Sequence, residues 1–276
     1  MRPAPFELFR PESLGDALTA LAAGAEPLAG GQSLLQSMRL GRSQPEKIVD
    51  LSQLDCLSNE IRQDSEFVSI GARVTHRQLA EDAMLEAQFP WLCEAARLIG
   101  DVQVRNLGTT LGNVCWADPR ANMAVAMLAS EAQVTILKEP TDPIKETLPL
   151  DEFFTWFRAT VLRDSLAQSL LVPPAPNARG VYLEFSRQPQ DLAIVNVCAV
   201  TTAHGLRIAL GGIAPIPIRN VELEAEGQSN SSVSDIAQLL YNDERCQPPR
   251  DSFGSREYKL HVAAELTLRA LRAIGK

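Results

Sequence analysis

The segment from Ala29 to Leu35 contains two adjacent glycines followed by small and apolar side chains, a pattern that can hold an anion. Gly30 and Gly31 have no side chains, so the backbone can come close to a bulky group such as a phosphate. If the turn opens a helix, it directs unpaired N–H groups at the ligand, and the Ser33 hydroxyl adds a donor. Because a Gly-Gly pair before a helix is also a common ordinary turn, this segment alone leaves both interpretations open.

A second segment of the same kind lies between Val104 and Pro119. Gly112 stands there among the hydroxyl side chains of Thr109 and Thr110 and beside Asn113, a residue type that tolerates a left-handed backbone. Two phosphate-binding turns suit a diphosphate held between two subdomains. Two unrelated loops explain the pattern equally well.

The composition is that of an ordinary globular protein. The chain has 276 residues, of which 45% are apolar and 22% are charged. Its net charge of −8 argues against a nucleic acid or an anionic membrane surface as partner. No apolar run is long enough to span a bilayer, and the N-terminus lacks a signal peptide, so we expect a cytoplasmic protein.

The cysteines and histidines are dispersed and suggest no metal site. Iron–sulfur clusters and structural zinc sites require closely spaced thiolates, and the sequence has no Cys-x-x-Cys pair. The five cysteines are Cys56, Cys93, Cys115, Cys198 and Cys246. We therefore expect no metal on this chain, and no group of residues predicts an acid, base or nucleophile for catalysis.

Local patterns place the first glycine turn in a small α/β unit over residues 1–55. Ser13 is the predicted N-cap of a helix, with Asp16 at the capping-box position. Residues 26–29 and 47–51 are short strand candidates on either side of the turn and its helix.

The second predicted unit, residues 56–174, contains the second glycine segment, which leads into an apolar helix over 123–129. Its other predicted elements are strands over 67–71 and 133–137, helices beginning near Thr75 and Pro90, and a charged loop over 139–147.

The third predicted unit covers residues 175–276 and follows a strand and Pro-rich linker over 170–177. Its elements are three β-rich segments, 180–186, 191–202 and 206–212, and two helices, 233–241 and 255–274. The pattern as a whole predicts an α+β protein.

With these segments in order, the chain resembles the FAD-binding medium subunit of molybdenum hydroxylases. This family includes carbon monoxide dehydrogenase medium subunits and the flavin domain of xanthine dehydrogenase. The resemblance rests on residues 29–35 with 38–40, on 105–109 with 112–113 and 117–119, and on 191–195, 207–219 and 258–259. It covers essentially the whole chain.

The resemblance implies an α+β architecture with a two-subdomain FAD-binding fold of the PCMH type, divided as 1–55 and 56–174. A C-terminal domain over 175–276, with a three-stranded antiparallel sheet and a helical layer, would follow. The two glycine turns would hold the pyrophosphate of FAD. The implied FAD-binding residues are Ala29, Gly30, Gly31, Gln32, Ser33, Leu34, Thr109, Thr110, Gly112, Asn113, Asp118, Asn122 and Tyr182, with Asp118 and Asn122 toward the ribose.

The resemblance also implies partners and a role. A large subunit would carry molybdopterin and a small subunit two [2Fe-2S] clusters, in a dimer of heterotrimers. Electrons would pass from the clusters through FAD to an external acceptor. The absence of cysteine clusters from this chain agrees with iron–sulfur ligands on a partner.

Three positions depart from the usual family residues. Leu111 replaces the first of two adjacent glycines, Asn122 replaces a common acidic residue, and Glu184 replaces a common lysine. These departures favour an alternative in which the chain is a scaffold subunit with weakened or lost FAD binding. A free-standing FAD oxidase is a third hypothesis. Tyr182 is interpreted either as a cover for the flavin ring or as a core residue.

Overall fold

The computed structural model describes residues 3–226 and 230–275, and its first unit is a parallel sheet with two helices. The elements are β1 (Glu7–Phe9), α1 (Leu14–Ala22), β2 (Glu26–Leu28), α2 (Leu34–Arg39) and β3 (Lys47–Asp50). The strand order is β1-β3-β2. Ser13 and Asp16 form the predicted capping box of α1. The first glycine turn joins the end of β2 to α2.

The second unit is built on a five-stranded antiparallel sheet with the order β4-β5-β10-β6-β7. Its strands are β4 (Ile61–Gln63), β5 (Val68–Gly71), β6 (Gln133–Lys138), β7 (Ile144–Pro149) and β10 (Leu166–Val172), and a separate hairpin pairs β8 (Phe154–Trp156) with β9 (Ala159–Thr160). Leu170 of the central strand pairs with Ile70 on one side and Val134 on the other. All three side chains are buried, so they form the centre of this sheet's core.

Six helices lie between the second and third strands of this unit in chain order. They are α3 (His76–Glu81), α4 (Ala83–Gln88), α5 (Pro90–Arg97), α6 (Val102–Leu107), α7 (Thr110–Trp116) and α8 (Asn122–Ala129). Thr75 caps α3 and Pro90 is in the first turn of α5, as the sequence predicts. Every residue of α8 is buried, so this helix lies in the centre of the molecule.

The third unit is an antiparallel sheet covered by helices. Its elements are β11 (Arg179–Phe185), β12 (Val195–Thr202), β13 (Gly205–Gly211), β14 (Ile218–Arg219), α9 (Val221–Glu226), α10 (Val233–Asn242) and α11 (Arg256–Ala273). The three predicted strands are present, and the two-residue β14 adds a fourth at the edge next to β13.

The two faces of this sheet pack against different neighbours. Cys198 and Val200 of β12 belong to the same apolar core as α8 and the second unit. Val197 and Ala199 face the opposite way and pack in the core that includes α11. Alternate residues of a strand point to opposite faces, so β12 connects the second unit to the helical layer.

Some local predictions are wrong. The charged loop predicted over 139–147 contains the beginning of β7, whose exposed, charged residues are tolerated because it is an edge strand. The segment predicted over 191–202 becomes a strand only at Val195. Most of the second glycine segment is helical, and the turn is confined to Gly108 and Thr109 between α6 and α7.

Candidate functional site

The two glycine turns are in direct contact. A Cβ atom placed on Gly30 would lie 2.0 Å from the carbonyl oxygen of Leu107 and 2.8 Å from the Cα atom of Gly108. No side chain fits at that separation, so only glycine at position 30 allows this approach. Two segments far apart in the sequence therefore meet at one place.

The first turn has backbone donors without partners. Among the residues described, the N–H groups of residues 31 to 34 donate to no acceptor, whereas the Leu35 N–H bonds to the Gly31 carbonyl. Gly31 has a φ angle of +71°, in the left-handed region that favours glycine. A turn of this kind presents several N–H groups and suits an anion.

The side chains of the first turn have varied surroundings. Gln32 Nε2 donates to the Gly30 carbonyl at 3.2 Å, and Ser33 makes no side-chain hydrogen bond at the start of α2. Ala29 is exposed, while Leu34 is buried against Met38 and offers only its backbone N–H.

The second turn is held by Thr109. Its Oγ1 accepts a hydrogen bond from the Gly112 N–H at 3.1 Å, and a Cβ on Gly112 would lie 2.5 Å from that oxygen. The hydroxyl of Thr110 is fully buried and has no hydrogen-bond partner among the described residues. An unpaired buried hydroxyl is costly, so a ligand that pairs with it would stabilise the turn.

Sequence reasoning missed a histidine behind this contact. The backbone N–H of His76 donates to the Gly108 carbonyl at 3.0 Å. Burial, together with the nearby charge of Arg105, lowers the pKa of His76 to about 4, so its ring is neutral at pH 7. Arg105 itself donates to the carbonyls of Ile99 and Gly100. The His76 ring is therefore uncharged, whereas Arg105 keeps its positive charge near it.

Asp118 forms ion pairs with Arg120 and Arg158. Its Oδ1 accepts from Arg120 Nε at 3.1 Å, and its Oδ2 accepts from Arg158 Nη2 at 2.7 Å. Burial alone would raise the pKa of Asp118, but hydrogen bonds and charge from these arginines outweigh it and lower the pKa. Both oxygens of Asp118 are therefore bonded to arginines, and its place beside a ribose stays a prediction.

These two arginines line a cavity of about 570 Å³ that residues of all three units border. Arg42, Arg187 and Arg250 also line it, together with the aromatic rings of Phe157 and Phe253. The cavity concentrates positive charge in a protein whose net charge is −8.

Asn122 and Tyr182 form hydrogen bonds inside the protein, and their contacts with FAD stay predictions. Asn122 Nδ2 donates to the Ala95 carbonyl at 3.2 Å and to Glu184 Oε2 at 2.8 Å. The Tyr182 ring is only 2% exposed, and its hydroxyl donates to Glu184 and accepts from Asn196. Tyr182 is buried in the core, and the Asn122 and Tyr182 side chains both donate hydrogen bonds to Glu184.

Leu111 does not obstruct the second turn. Its side chain is 2% exposed and packs in the main apolar core. It is absent from the non-glycine residues with positive φ among those described. The backbone at this position is helical, so a branched side chain causes no strain there.

Within residues 3–226 and 230–275, no group of three or more histidine, cysteine or acidic side chains could hold a metal ion. In the same ranges, no helix combines the length and apolar character needed to cross a membrane.

Comparison with known proteins gives matches over nearly the entire chain. The family described as "FAD binding domain in molybdopterin dehydrogenase" matches residues 4–175, and "CO dehydrogenase flavoprotein C-terminal domain" matches residues 180–274. The first match contains both glycine turns.

Two curated relatives are similar to the chain over their full lengths. The glyceraldehyde dehydrogenase medium chain of Sulfolobus acidocaldarius is 30% identical, with 100% of both chains covered. The carbon monoxide dehydrogenase medium chain of Hydrogenophaga pseudoflava is 32% identical over 99% of this chain and 98% of the relative.

Solved structures agree with these relatives. The carbon monoxide dehydrogenase of Hydrogenophaga pseudoflava matches with a TM-score of 0.89 and 31% identity, covering 99% of this chain and 98% of that chain. Quinoline 2-oxidoreductase from Pseudomonas putida 86 matches with a TM-score of 0.87 and 26% identity, with the same coverage.

Proposed function

The chain belongs to the family of FAD-binding subunits of molybdenum hydroxylases, and we propose that it is the electron-transfer subunit of such an enzyme. In this role it receives electrons from the [2Fe-2S] clusters of a small partner subunit and passes them through FAD to an external acceptor. A large molybdopterin subunit completes the proposed assembly, a dimer of heterotrimers in the cytoplasm. The medium-chain names of the relatives support these partners.

The observation that carries this proposal is the contact between the two glycine turns. Gly30 lies against Leu107 and Gly108, so groups from both segments can reach one ligand. The N–H groups of residues 31–34 and the Thr110 hydroxyl have no partner in the described part of the chain, and a diphosphate can accept hydrogen bonds from such groups. These residues fit FAD.

The proposed contacts divide between the two turns. Gly30, Gly31, Gln32, Ser33 and Leu34 form the first set, largely through backbone N–H groups. The second set is Thr109, Thr110, Gly112 and Asn113. Both sets hold the diphosphate through backbone N–H groups and hydroxyls, with the neutral ring of His76 behind them.

FAD, when bound, supplies a carrier that accepts and releases electrons in pairs or singly. The chain's own residues bind and orient it, and none is required as an acid or base. Catalytic residues for the substrate reaction are therefore assigned to the partner that holds molybdopterin.

Reconstitution tests the proposal. The purified chain is incubated with FAD, freed of excess ligand and examined by absorbance, and the flavin released on denaturation is then quantified. We expect a yellow protein with one FAD per chain that co-purifies with two other chains when all are expressed together. A chain that stays colourless and releases no flavin would overturn FAD binding, and FAD binding without co-purifying chains would overturn the assembly.

A further inference from the structure

The cavity lined by arginines contains three whose charge is not neutralised by a carboxylate among the described residues. Two of the five arginines described there are paired with Asp118. The side chains of the other three, Arg42, Arg187 and Arg250, form no hydrogen bond or ion pair with the described part of the chain. Folding thus brings like charges to one cavity. A cleft lined by one sign of charge concentrates ions of the opposite sign.

The acidic side chains at the cavity do not pair with these arginines. Asp251 is bonded to Lys259 Nζ at 2.8 Å, and the Lys259 side chain is only 2% exposed, so this carboxylate is neutralised from inside the protein. Lys259 Nζ also donates to the Pro249 carbonyl at 3.1 Å, which fixes the backbone next to Arg250. Asp191 is exposed, and its side chain forms no hydrogen bond or ion pair with the residues described. Positive charge therefore predominates at the cavity.

The same cavity exposes apolar surface. Phe157 and Leu192 line it, and they are 40% and 42% exposed. The guanidinium carbon of Arg187 lies 5.6 Å from the ring centre of Phe253, a third apolar residue at the cavity. Small-molecule sites commonly have volumes of about 300–1,000 Å³ and combine apolar walls with a few charged groups that fix orientation. The cavity has both properties.

We propose that this cavity binds a small organic anion that carries at least two phosphate or carboxylate groups beside a ring system. Arg42, Arg187 and Arg250 bind the charged groups, because a guanidinium can donate two parallel hydrogen bonds to a phosphate or a carboxylate. Phe157 and Leu192 contact the ring system. None of the described residues that line the cavity belongs to either glycine turn, so the site is separate from the proposed diphosphate site. The bound anion also links the first unit to the third.

Titration calorimetry on the full chain loaded with FAD tests this site while the glycine turns are occupied. The probes are ADP and benzene-1,3,5-tricarboxylate, with uncharged adenosine as the ligand control. We expect binding of an anion and no detectable binding of adenosine. Arg42→Gln, Arg187→Gln and Arg250→Gln should each weaken it about tenfold, the range of a hydrogen bond to a charged group. Arg39→Gln, at an exposed position of α2 outside the cavity, is the matched control and should stay within about twofold.

A variant of opposite sign sharpens the test. Asp191→Asn removes negative charge from the cavity and should tighten anion binding about threefold. Binding of ADP alone would assign the site to phosphates, and binding of the tricarboxylate alone would assign it to carboxylates.

Three results would overturn the inference: no binding of either anion, equal affinity for ADP and adenosine, or wild-type affinity in all three cavity arginine variants. A chain that does not bind FAD would overturn the proposed function instead. The tricarboxylate titration of that FAD-free chain would still decide whether the cavity binds an anion.

Discussion

Asp118 and Glu184 are two carboxylates near the start of α8, and their surroundings differ. Asp118 has arginines on both oxygens, and its pKa is lowered. Glu184 has an amide and a phenol on one oxygen and no cationic partner among the residues described. Burial raises its pKa, and the hydrogen bonds offset only part of that effect. Both oxygens of Asp118 therefore have partners within the protein, whereas only one oxygen of Glu184 has partners among the described residues. Residue type alone does not distinguish a structural carboxylate, paired with arginines, from one that lacks such partners among the described residues.

The same contrast extends beyond the two carboxylates. The Leu111 side chain is buried and packed in the core, whereas the N–H groups of residues 31–34 have no hydrogen-bond partner among the described residues. Substitution of a side chain that is packed or bonded inside the protein should reduce folding stability. Substitution at a position whose polar groups have no partner among the described residues should reduce FAD affinity and change stability little.

Leu111→Gly should give the largest loss of stability. Removing a buried leucine and placing glycine in a helix should lower the free energy of unfolding by about 4 kcal/mol, measured by urea denaturation. Val102→Gly, at the exposed first residue of α6, should cost only about 0.5 kcal/mol. FAD affinity should not rise in either variant. Tighter binding by Leu111→Gly would favour the scaffold alternative, in which this leucine blocks the cofactor.

Asp118→Asn should give the second-largest loss of stability. The free energy of unfolding should fall by about 3 kcal/mol, because two arginines lose their counter-charge. Asp191→Asn is the control: it removes an exposed carboxylate from the same cavity and should change stability by less than about 0.5 kcal/mol. Equal effects of the two variants would show that Asp118 is not the structural carboxylate described above.

The pH dependence of stability should separate the two carboxylates by sign. The raised pKa of Glu184 means that its contribution is fully present below its ordinary value of 4.5 and is lost as the pH rises through the raised value. The lowered pKa of Asp118 has the opposite consequence: its contribution is present above 3.8 and is lost as the pH falls.

Urea denaturation of the wild type and Glu184→Gln, without FAD, at pH 4, 5.5 and 7 measures the first effect. The wild type should lose stability relative to Glu184→Gln as the pH rises, by less than the cost of Asp118→Asn. A difference that is constant across these pH values would mean that Glu184 titrates alike in the folded and unfolded chain.

The sequence predicts those parts of the fold that local patterns determine. Capping residues such as Ser13 and Thr75, Pro90 in the first turn of α5 and the alternation in β12 identify their elements correctly. Edge strands such as β7 and β14 are not predicted, because the sequence of an exposed, charged or very short strand resembles that of a loop. Their identity depends on the neighbouring strand.

For the candidate site, too, the sequence predicts only what local patterns determine. The glycines identify the two turns, because contact between backbones needs residues without side chains. The assignments of Asp118, Asn122 and Tyr182 to FAD stay predictions. In the structure, Asp118 and Asn122 bond to residues distant in sequence, Arg158 and Glu184. No local pattern encodes those partners.

The most direct test of FAD binding between the two turns compares two alanine variants of the first unit. Gly30→Ala places a Cβ against the Leu107 carbonyl oxygen, whereas a Cβ on Gly24, which has a φ angle of +89°, meets no atom within 4 Å. The FAD dissociation constant of each variant is measured by titration beside the wild type. We expect one FAD per wild-type chain, binding at least about tenfold weaker in Gly30→Ala, and near-wild-type affinity in Gly24→Ala. Wild-type affinity in Gly30→Ala, or an equal loss in both variants, would contradict the account.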